Sequence, residues 1–443
     1  MAVRETRVAS GRDVITEPDV LPAALDPGVD PGLEREVPPA GWRRLADAAI
    51  ARTNRPAVTG LVVLLAATVF VVARWDLWAK RSIDKFILIG QYFAHPAQLP
   101  PGMPVRPKYG YDGQFFYRLA VDPFNLSHTA YGITMDQAYR FMRIGYPLIT
   151  WLVSFGQQAL VPYMLVAVNI AALGALGYLG AVIARQGGRH AAWGLLLPGY
   201  FGLVTSLSRD TAEPVAAAFL VAGLLALRAR RPVLASLLLA FAALTRETAM
   251  VAVAAIAIVR LAGLLRRRSR PGREDVAWLL PAVVFVAWQA VVYVFSGAVP
   301  LFADTGRNAG TPLIAPFVAI GHNLGRVDLI GYNAADVWLA ELAILLIFAI
   351  AALRSMRTSL APAHERLALV LFLVEICVVT PDTWNSLSAD LRSFVEVYLL
   401  AVILLLSRPR GPVRSPGSWL FRVATAGLVP VLGGVIWLHL HLA

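Results

Sequence analysis

The stretch LVPYMLVAVNIAALGALGYLGAVIA, Leu160 to Ala184, contains no charged residue and is long enough to cross a bilayer as a helix. It has no strand-like alternation, and Gly174, Gly177 and Gly180 recur on it at spacings that let another helix approach closely. The same glycines have the look of a nucleotide-binding loop. With no strand before them and apolar residues around them, they read as helix packing. Comparable runs recur along the 443 residues, which are 58% hydrophobic and only 15% charged, and this fixes an all-α, polytopic membrane class.

The runs can be threaded as spans near Ala57 to Ala73, Leu160 to Ala184, Ala191 to Leu207, Ala212 to Leu227, Val233 to Leu244, Ala249 to Leu265, Val276 to Phe295, Val337 to Leu353, Leu367 to Val379, Phe394 to Leu406 and Leu420 to His439. That predicts about eleven transmembrane helices. The formal charge of +12 sits mostly in short arginine clusters between these runs, the pattern that sets topology and not one that binds nucleic acid. With a cytoplasmic N-terminus, Arg185/Arg189, Arg228/Arg230/Arg231, Arg266 to Arg273, Arg354/Arg357/Arg366 and Arg408/Arg410/Arg414 all fall on the cytoplasmic side. The short run Ile144 to Phe155 then belongs to a large first extracytoplasmic loop, residues 74–159, as an interfacial helix.

Three regions follow from this threading. Residues 1–42, rich in proline and acids (EPDVLPAALDPGVDPGLEREVPPAG), predict a disordered cytoplasmic tail. Residues 43–265 hold the first loop and the spans around it. Residues 266–443 supply the remaining helices and an outer loop at 297–336. The lone cysteine, Cys377, sits in an apolar run and reads as a small buried hydrophobe.

The polar residues left over gather on the face opposite the arginine clusters, and charges near membrane depth usually mark function or pairing. In YDGQFFYRLAVDP, Tyr111 to Pro123, a carboxylate stands beside Gly113 among aromatics suited to a sugar ring or lipid, with Tyr111, Gln114 and Tyr117 as candidate lining residues. Asp112 suits a general base for a hydroxyl, while also standing where it could cap the following helix. Asp122, before Pro123, reads as a turn former. Arg140 and Arg143 in YRFMRIGYP project from one side of a helix, as phosphate binding or headgroup snorkelling would require. Arg209, Asp210 and Glu213 in SRDTAEP open a span, and Arg246 and Glu247 in LTRET lie between two others. A cap explains the acids of SRDTAEP but not Arg209. No P-loop, HExxH, CxxC or GxSxG pattern is present.

These four segments together resemble the GT-C superfamily of integral membrane glycosyltransferases, and are most similar to bacterial relatives of the mannosyltransferases that build glycosylphosphatidylinositol anchors. The resemblance spans about Ala57 to Leu265; beyond it only the helix count and an outward Arg392 match. It implies a polyprenyl-phosphate sugar donor, with mannose a candidate sugar, a lipid or glycan acceptor, and a site on the outer face of the cytoplasmic membrane. It also implies Asp112 as the catalytic acid of the first loop; on that reading Arg140, Arg143, Arg209, Arg246 and Arg392 are the candidates to stabilise the donor phosphate, with Asp210, Glu213 and Glu247 lining the substrate. The chain departs from many members in lacking a second acid beside Asp112 and a sizeable C-terminal domain. No cofactor is fixed, and a divalent metal stays open. The competing class is a transporter or flippase of a lipid-linked anion, which would use the same arginines without needing Asp112 and would be expected to show inverted repeats.

Overall fold

A computed structural model describes residues 51–303, 310–328, 333–384, 391–408 and 416–441; the expected N-terminal tail and part of the 297–336 loop lie outside the described residues. The protein is mostly helical. Its α-helices are α1 Pro56–Leu77, α2 Gly113–Val121, α3 Gly145–Val153, α4 Val161–Gln186, α5 Phe201–Ser208, α6 Glu213–Arg228 and α7 Pro232–Thr245 in the first half. The second half contributes α8 Ala249–Leu265, α9 Val276–Ser296, α10 Ile314–Leu324, α11 Ala334–Ser355, α12 Ala363–Val378, α13 Val395–Leu406 and α14 Pro416–His441, with a single helical turn at Pro381–Trp384 between α12 and α13. Proline stands in the first turn of α1, α4, α6 and α7, where its missing N–H is no loss. At the other end of α9, Gly297 takes the left-handed conformation that closes a helix.

Among the described residues, five helical segments are long and apolar enough to cross a membrane: Pro56–Leu77, Gln158–Gln186, Arg273–Ser296, Ala334–Ser355 and Trp419–His441. Helices α1 and α9 leave broad apolar surfaces uncovered, with Leu61, Val69, Val286, Val294 and Phe295 all exposed. Apolar surface on that scale is compatible with lipid contact. Shorter apolar helices at Pro232–Thr245, Ala249–Leu265 and Ile314–Leu324 fill out the bundle.

Two expected spans take another form. The run Ala191 to Leu207 is a 3-10 turn at Ala191–Leu196 followed by α5, interrupted where Pro198 and Gly199 break the hydrogen-bond ladder. The run Phe394 to Leu406 becomes the 12-residue α13, every residue of which is buried within the bundle.

Packing follows the small residues. Helix α1 lies along α4, and α4 also carries the Ala191–Leu196 turn. A Cβ on Gly60 would come within 3.0 Å of the Gly174 carbonyl oxygen, and one on Gly194 within 2.1 Å of the Ala181 nitrogen. Helix α8 packs on α12, and α13 sits between α11 and α12. The 74–159 segment is a layer of short pieces: α2, α3, 3-10 turns, a parallel pairing of Ile89–Gly90 with Val105–Arg106, and a hairpin joining Thr129–Ala130 to Ile133–Thr134. Its α3, nine residues long, is too short to span, in keeping with an interfacial helix. Arg118 of α2 is fully buried and ties the layer down by donating to the carbonyls of Asn125 and Ser127, each at 2.6 Å.

The Gly194 contact is testable. Gly194→Ala is expected to lower stability by about 1 to 3 kcal/mol, the usual result of forcing atoms into filled space. Gly321→Ala on α10, where a Cβ meets nothing within 4 Å, should be neutral or stabilising by up to about 1 kcal/mol. Thermal unfolding of the purified variants decides; equal melting temperatures for the two would refute the packing argument.

Candidate functional site

The loop layer and the helix ends enclose a cavity of about 770 Å³. Its wall includes Tyr111, Asp112 and Gln114 from the start of α2, Arg140 and Arg143 from the 138–143 turn, Glu213 from α6, Arg246 and Glu247 from the α7–α8 turn, and Arg392. Residues far apart in sequence are thus brought together.

Asp112 occupies the N-cap position of α2, but its side chain makes no capping bond. Its Oδ1 accepts from Arg140 Nη1 at 2.8 Å and its Oδ2 accepts from Arg392 Nη2. The capping role is therefore absent, and the carboxylate is turned toward the cavity. Gly113 is required by packing. A Cβ there would lie 2.5 Å from the Arg209 carbonyl oxygen and 2.7 Å from that of Ile87, so the glycine lets the α2 start press against the α5–α6 turn. Gly202 does the same for Arg392, whose Cα a Cβ would meet at 2.6 Å. Asp122 forms the expected turn, accepting from the Phe124 N–H at 3.2 Å and from the Tyr131 hydroxyl at 3.0 Å.

Around Asp112 the charges form a connected frame. Arg140 also donates through Nε to Asp136 at 3.0 Å. Arg392 reaches from Asp112 to Glu213, donating through Nη1 at 3.0 Å. Glu213 further accepts from Ser206 and Thr211 hydroxyls at 3.0 and 2.5 Å and from Arg246 at 3.3 Å. Arg143 grips Glu247 with two donors, at 2.8 and 2.6 Å, the fork geometry of a strong pair. Arg246 and Glu247, adjacent in sequence, pair in opposite directions: Arg246 faces Glu213 and Glu396, the latter at 3.8 Å. Arg140 and Arg143 arise from a five-residue 3-10 turn and its end, not an α-helix, yet both reach the cavity.

Burial by itself would raise the Asp112 carboxyl pKa; the charges of Arg392, Arg140 and Arg143 outweigh it and hold the group well below the usual carboxylate range. Glu247 is lowered in the same way, burial being outweighed chiefly by Arg143. Asp112 is thus an ionised carboxylate at neutral pH. Four arginines and five carboxylates line the cavity (Asp112, Asp136, Glu213, Glu247 and Glu375), so its cations are already matched by anions.

Three expected residues stand off the wall. Tyr117 is fully buried, with its hydroxyl accepting from Gln158 Nε2 at 3.2 Å. Asp210 is buried in the α5–α6 turn at φ +49°. Arg209 lies beside the cavity, its Cζ 4.5 Å from the centroid of the Tyr111 ring. Gln114 reaches the wall with its amide already engaged, accepting from the Gly90 N–H at 3.0 Å and donating to the Tyr109 carbonyl at 2.9 Å, so it also braces the loop. Glu375 of α12 and Glu396 of α13 escaped the sequence reading because each is a single acid inside an apolar run; that isolation was itself the usable signal. No group of three His, Cys, Asp or Glu side chains placed to hold a metal ion occurs among the described residues. Both Asp112 oxygens face guanidinium groups.

Because Arg143 is largely enclosed, Glu247→Gln should destabilise the protein by about 3 kcal/mol, the cost of leaving a buried cation unmatched. Adding Arg143→Leu to Glu247→Gln should recover most of that loss. Chemical unfolding in detergent measures both, and a double variant no more stable than the single one would refute the pairing as the cause.

Searches against protein-family models and against curated proteins find no match to this chain.

Proposed function

We propose that the protein is a GT-C type glycosyltransferase that moves a sugar, mannose being the first to test, from a polyprenyl-phosphate donor to a lipid or glycan acceptor. The observation that carries this reading is Asp112. It is an ionised carboxylate at the mouth of the first-loop helix, released from capping and aimed into a cavity large enough for a glycosyl group.

In the proposed reaction an acceptor oxygen attacks the anomeric carbon, the bond from that carbon to the donor phosphate oxygen breaks, and the acceptor proton passes to Asp112. The phosphate leaves with the bonding electrons. A carboxylate with so low a pKa is a weak base in the resting protein, so the arginines act first as positioners, fixing Asp112 against Arg140 and Arg392. Loosening of either bond as substrate enters would raise its basicity. The membrane setting belongs to the same proposal: several membrane-spanning helices, a bacterial cytoplasmic membrane, the N-terminus inside and the cavity outside. The run of the arginine clusters and the apolar surfaces of α1 and α9 support it.

Two measurements test this. Arg392 keeps Glu213 and Arg140 keeps Asp136 when the Asp112 charge is removed, so Asp112→Asn should stay folded. It should transfer sugar from radiolabelled polyprenyl-phosphate sugar at least about a hundredfold more slowly than the parent, the scale of losing a positioned base. Transfer within a few-fold of the parent would end the base assignment. A parent that transfers none of several lipid-linked sugars, yet moves them across a bilayer, would favour a flippase.

For the orientation, single cysteines replace the exposed His128 and Arg268 in a Cys377→Ala background. In intact cells an impermeant thiol reagent should label position 128 and spare position 268. The reverse pattern would invert the proposed topology.

A further inference from the structure

Glu375 of α12 stands half-buried on the cavity wall, inside the apolar run LALVLFLVEICVV, Leu367 to Val379. A carboxyl group in such a run weakens the fold unless it is paired or used, and a leucine would suit the helix better. Arg74, near the end of α1, shows the closed alternative: it is fully buried and donates to the His439 carbonyl. Glu375 instead faces open space.

The other four carboxylates of the wall are engaged. Asp112 pairs with Arg140 and Arg392, Asp136 with Arg140, Glu213 with Arg392 and Arg246, and Glu247 with Arg143. Glu375 has no hydrogen bond and no ion pair among the described residues. The charges that act on it are those of Glu396, Arg246 and Glu247, whereas those that act on Asp112 are chiefly Arg392, Arg140 and Arg143, so the two carboxyls occupy different parts of the wall. Arg246, the cation among the three, is already shared between Glu213 and Glu396, at 3.3 and 3.8 Å. Glu396 in turn accepts from the Thr248 hydroxyl at 2.5 Å. Otherwise α8 and the end of α12 give the wall apolar side chains, Val251, Ile376 and Val379.

We propose that Glu375 is a specificity-determining residue of this cavity, its carboxyl oxygen accepting a hydrogen bond from one hydroxyl of a bound glycosyl group. A hydroxyl supplies the missing donor without adding charge. A phosphate in the same place would meet Glu375, Glu396 and Glu247 together, so this part of the wall turns anions away and takes the uncharged end of a ligand. A wall group that is satisfied only by a ligand hydroxyl also rejects an analogue that lacks it. That the hydroxyl is a sugar's rests on the glycosyltransferase reading; the preference for an uncharged donor rests on the wall alone.

The test uses the full chain in nanodiscs of uncharged lipid, with binding read by calorimetry. Farnesyl phosphomannose stands for a donor and octyl mannoside, which has no phosphate, for an acceptor, each alongside its monodeoxy analogues. For the parent, one analogue should bind about tenfold to a hundredfold more weakly than the intact sugar, the loss expected for one hydrogen bond to a charged group. In Glu375→Leu the intact sugar should already show that loss, and removing the same hydroxyl should cost less than about twofold more, as for two changes that delete one contact. Glu375→Gln, which keeps an acceptor oxygen, should fall between. Neither variant should melt below the parent, because a carboxyl beside Glu396 and Glu247 is removed. Dependence on Glu375 with farnesyl phosphomannose alone would assign the hydroxyl to the donor, and with octyl mannoside alone to the acceptor; either supports the proposal. Parent-like affinity in Glu375→Leu, a deoxy penalty that persists there undiminished, a melting temperature well below the parent's, or no binding of either probe by the parent would each overturn it. Glu375-dependent binding without sugar transfer by the parent would sink the glycosyltransferase reading and leave this role standing. Transfer that discriminates among the analogues identically in parent and Glu375→Leu would do the reverse.

Discussion

Arg392 joins Asp112 of the loop layer to Glu213 of the helical bundle through one guanidinium. In a low-dielectric interior removing either partner of such a pair leaves a costly uncompensated charge. The constraint spreads outward from this bridge: Glu213 also holds Arg246, Arg246 faces Glu396, and Asp112 holds Arg140, which holds Asp136. The position of the loop over the bundle is thus specified by charge as well as by shape. Where a ridge of apolar side chains could slide by a turn, a two-sided ion pair admits one register.

The same frame explains why an acid that resembles a catalytic base is held at low basicity. A carboxylate between two guanidinium groups is fixed in place and kept ionised, which are the two conditions for accepting a proton at a defined atom. What it lacks in the resting protein is proton affinity. Proton affinity then depends on how tightly the neighbouring arginines hold it, and the chemistry is coupled to occupancy of the space around them.

Much of this was legible in the sequence. The helical class followed from uncharged runs such as Leu160 to Ala184, and the glycines of that run do lie at close helix contacts. Asp112, Arg140, Arg143, Glu213, Arg246, Glu247 and Arg392, drawn from segments nearly 300 residues apart, do line one cavity. Partner choice was not legible. Neighbours such as Arg246 and Glu247 invite pairing on paper, but a turn between two helices sends their side chains to opposite walls. Hydropathy also averages over single acids, so Glu375 and Glu396 vanished into their runs, and it cannot tell a helix sheathed in lipid from one sheathed in protein, so the complete burial of α13 was not legible. The Ala191 to Leu207 run failed for a local reason: Pro198 and Gly199 interrupt what its composition presents as continuous.

Arg74 stands in the first described helix, and the backbone oxygen that accepts from it belongs to His439, 365 positions later, near the end of the last. At ribosomal speeds those positions are separated by roughly 20 to 70 s. During synthesis in the proposed membrane setting, an early helix therefore carries a guanidinium whose lasting partner has not yet been made, with the Trp78 indole as nearby shelter. The closing helix does more than complete a wall: its arrival brings a carbonyl to a guanidinium that has been waiting since the first helix was made.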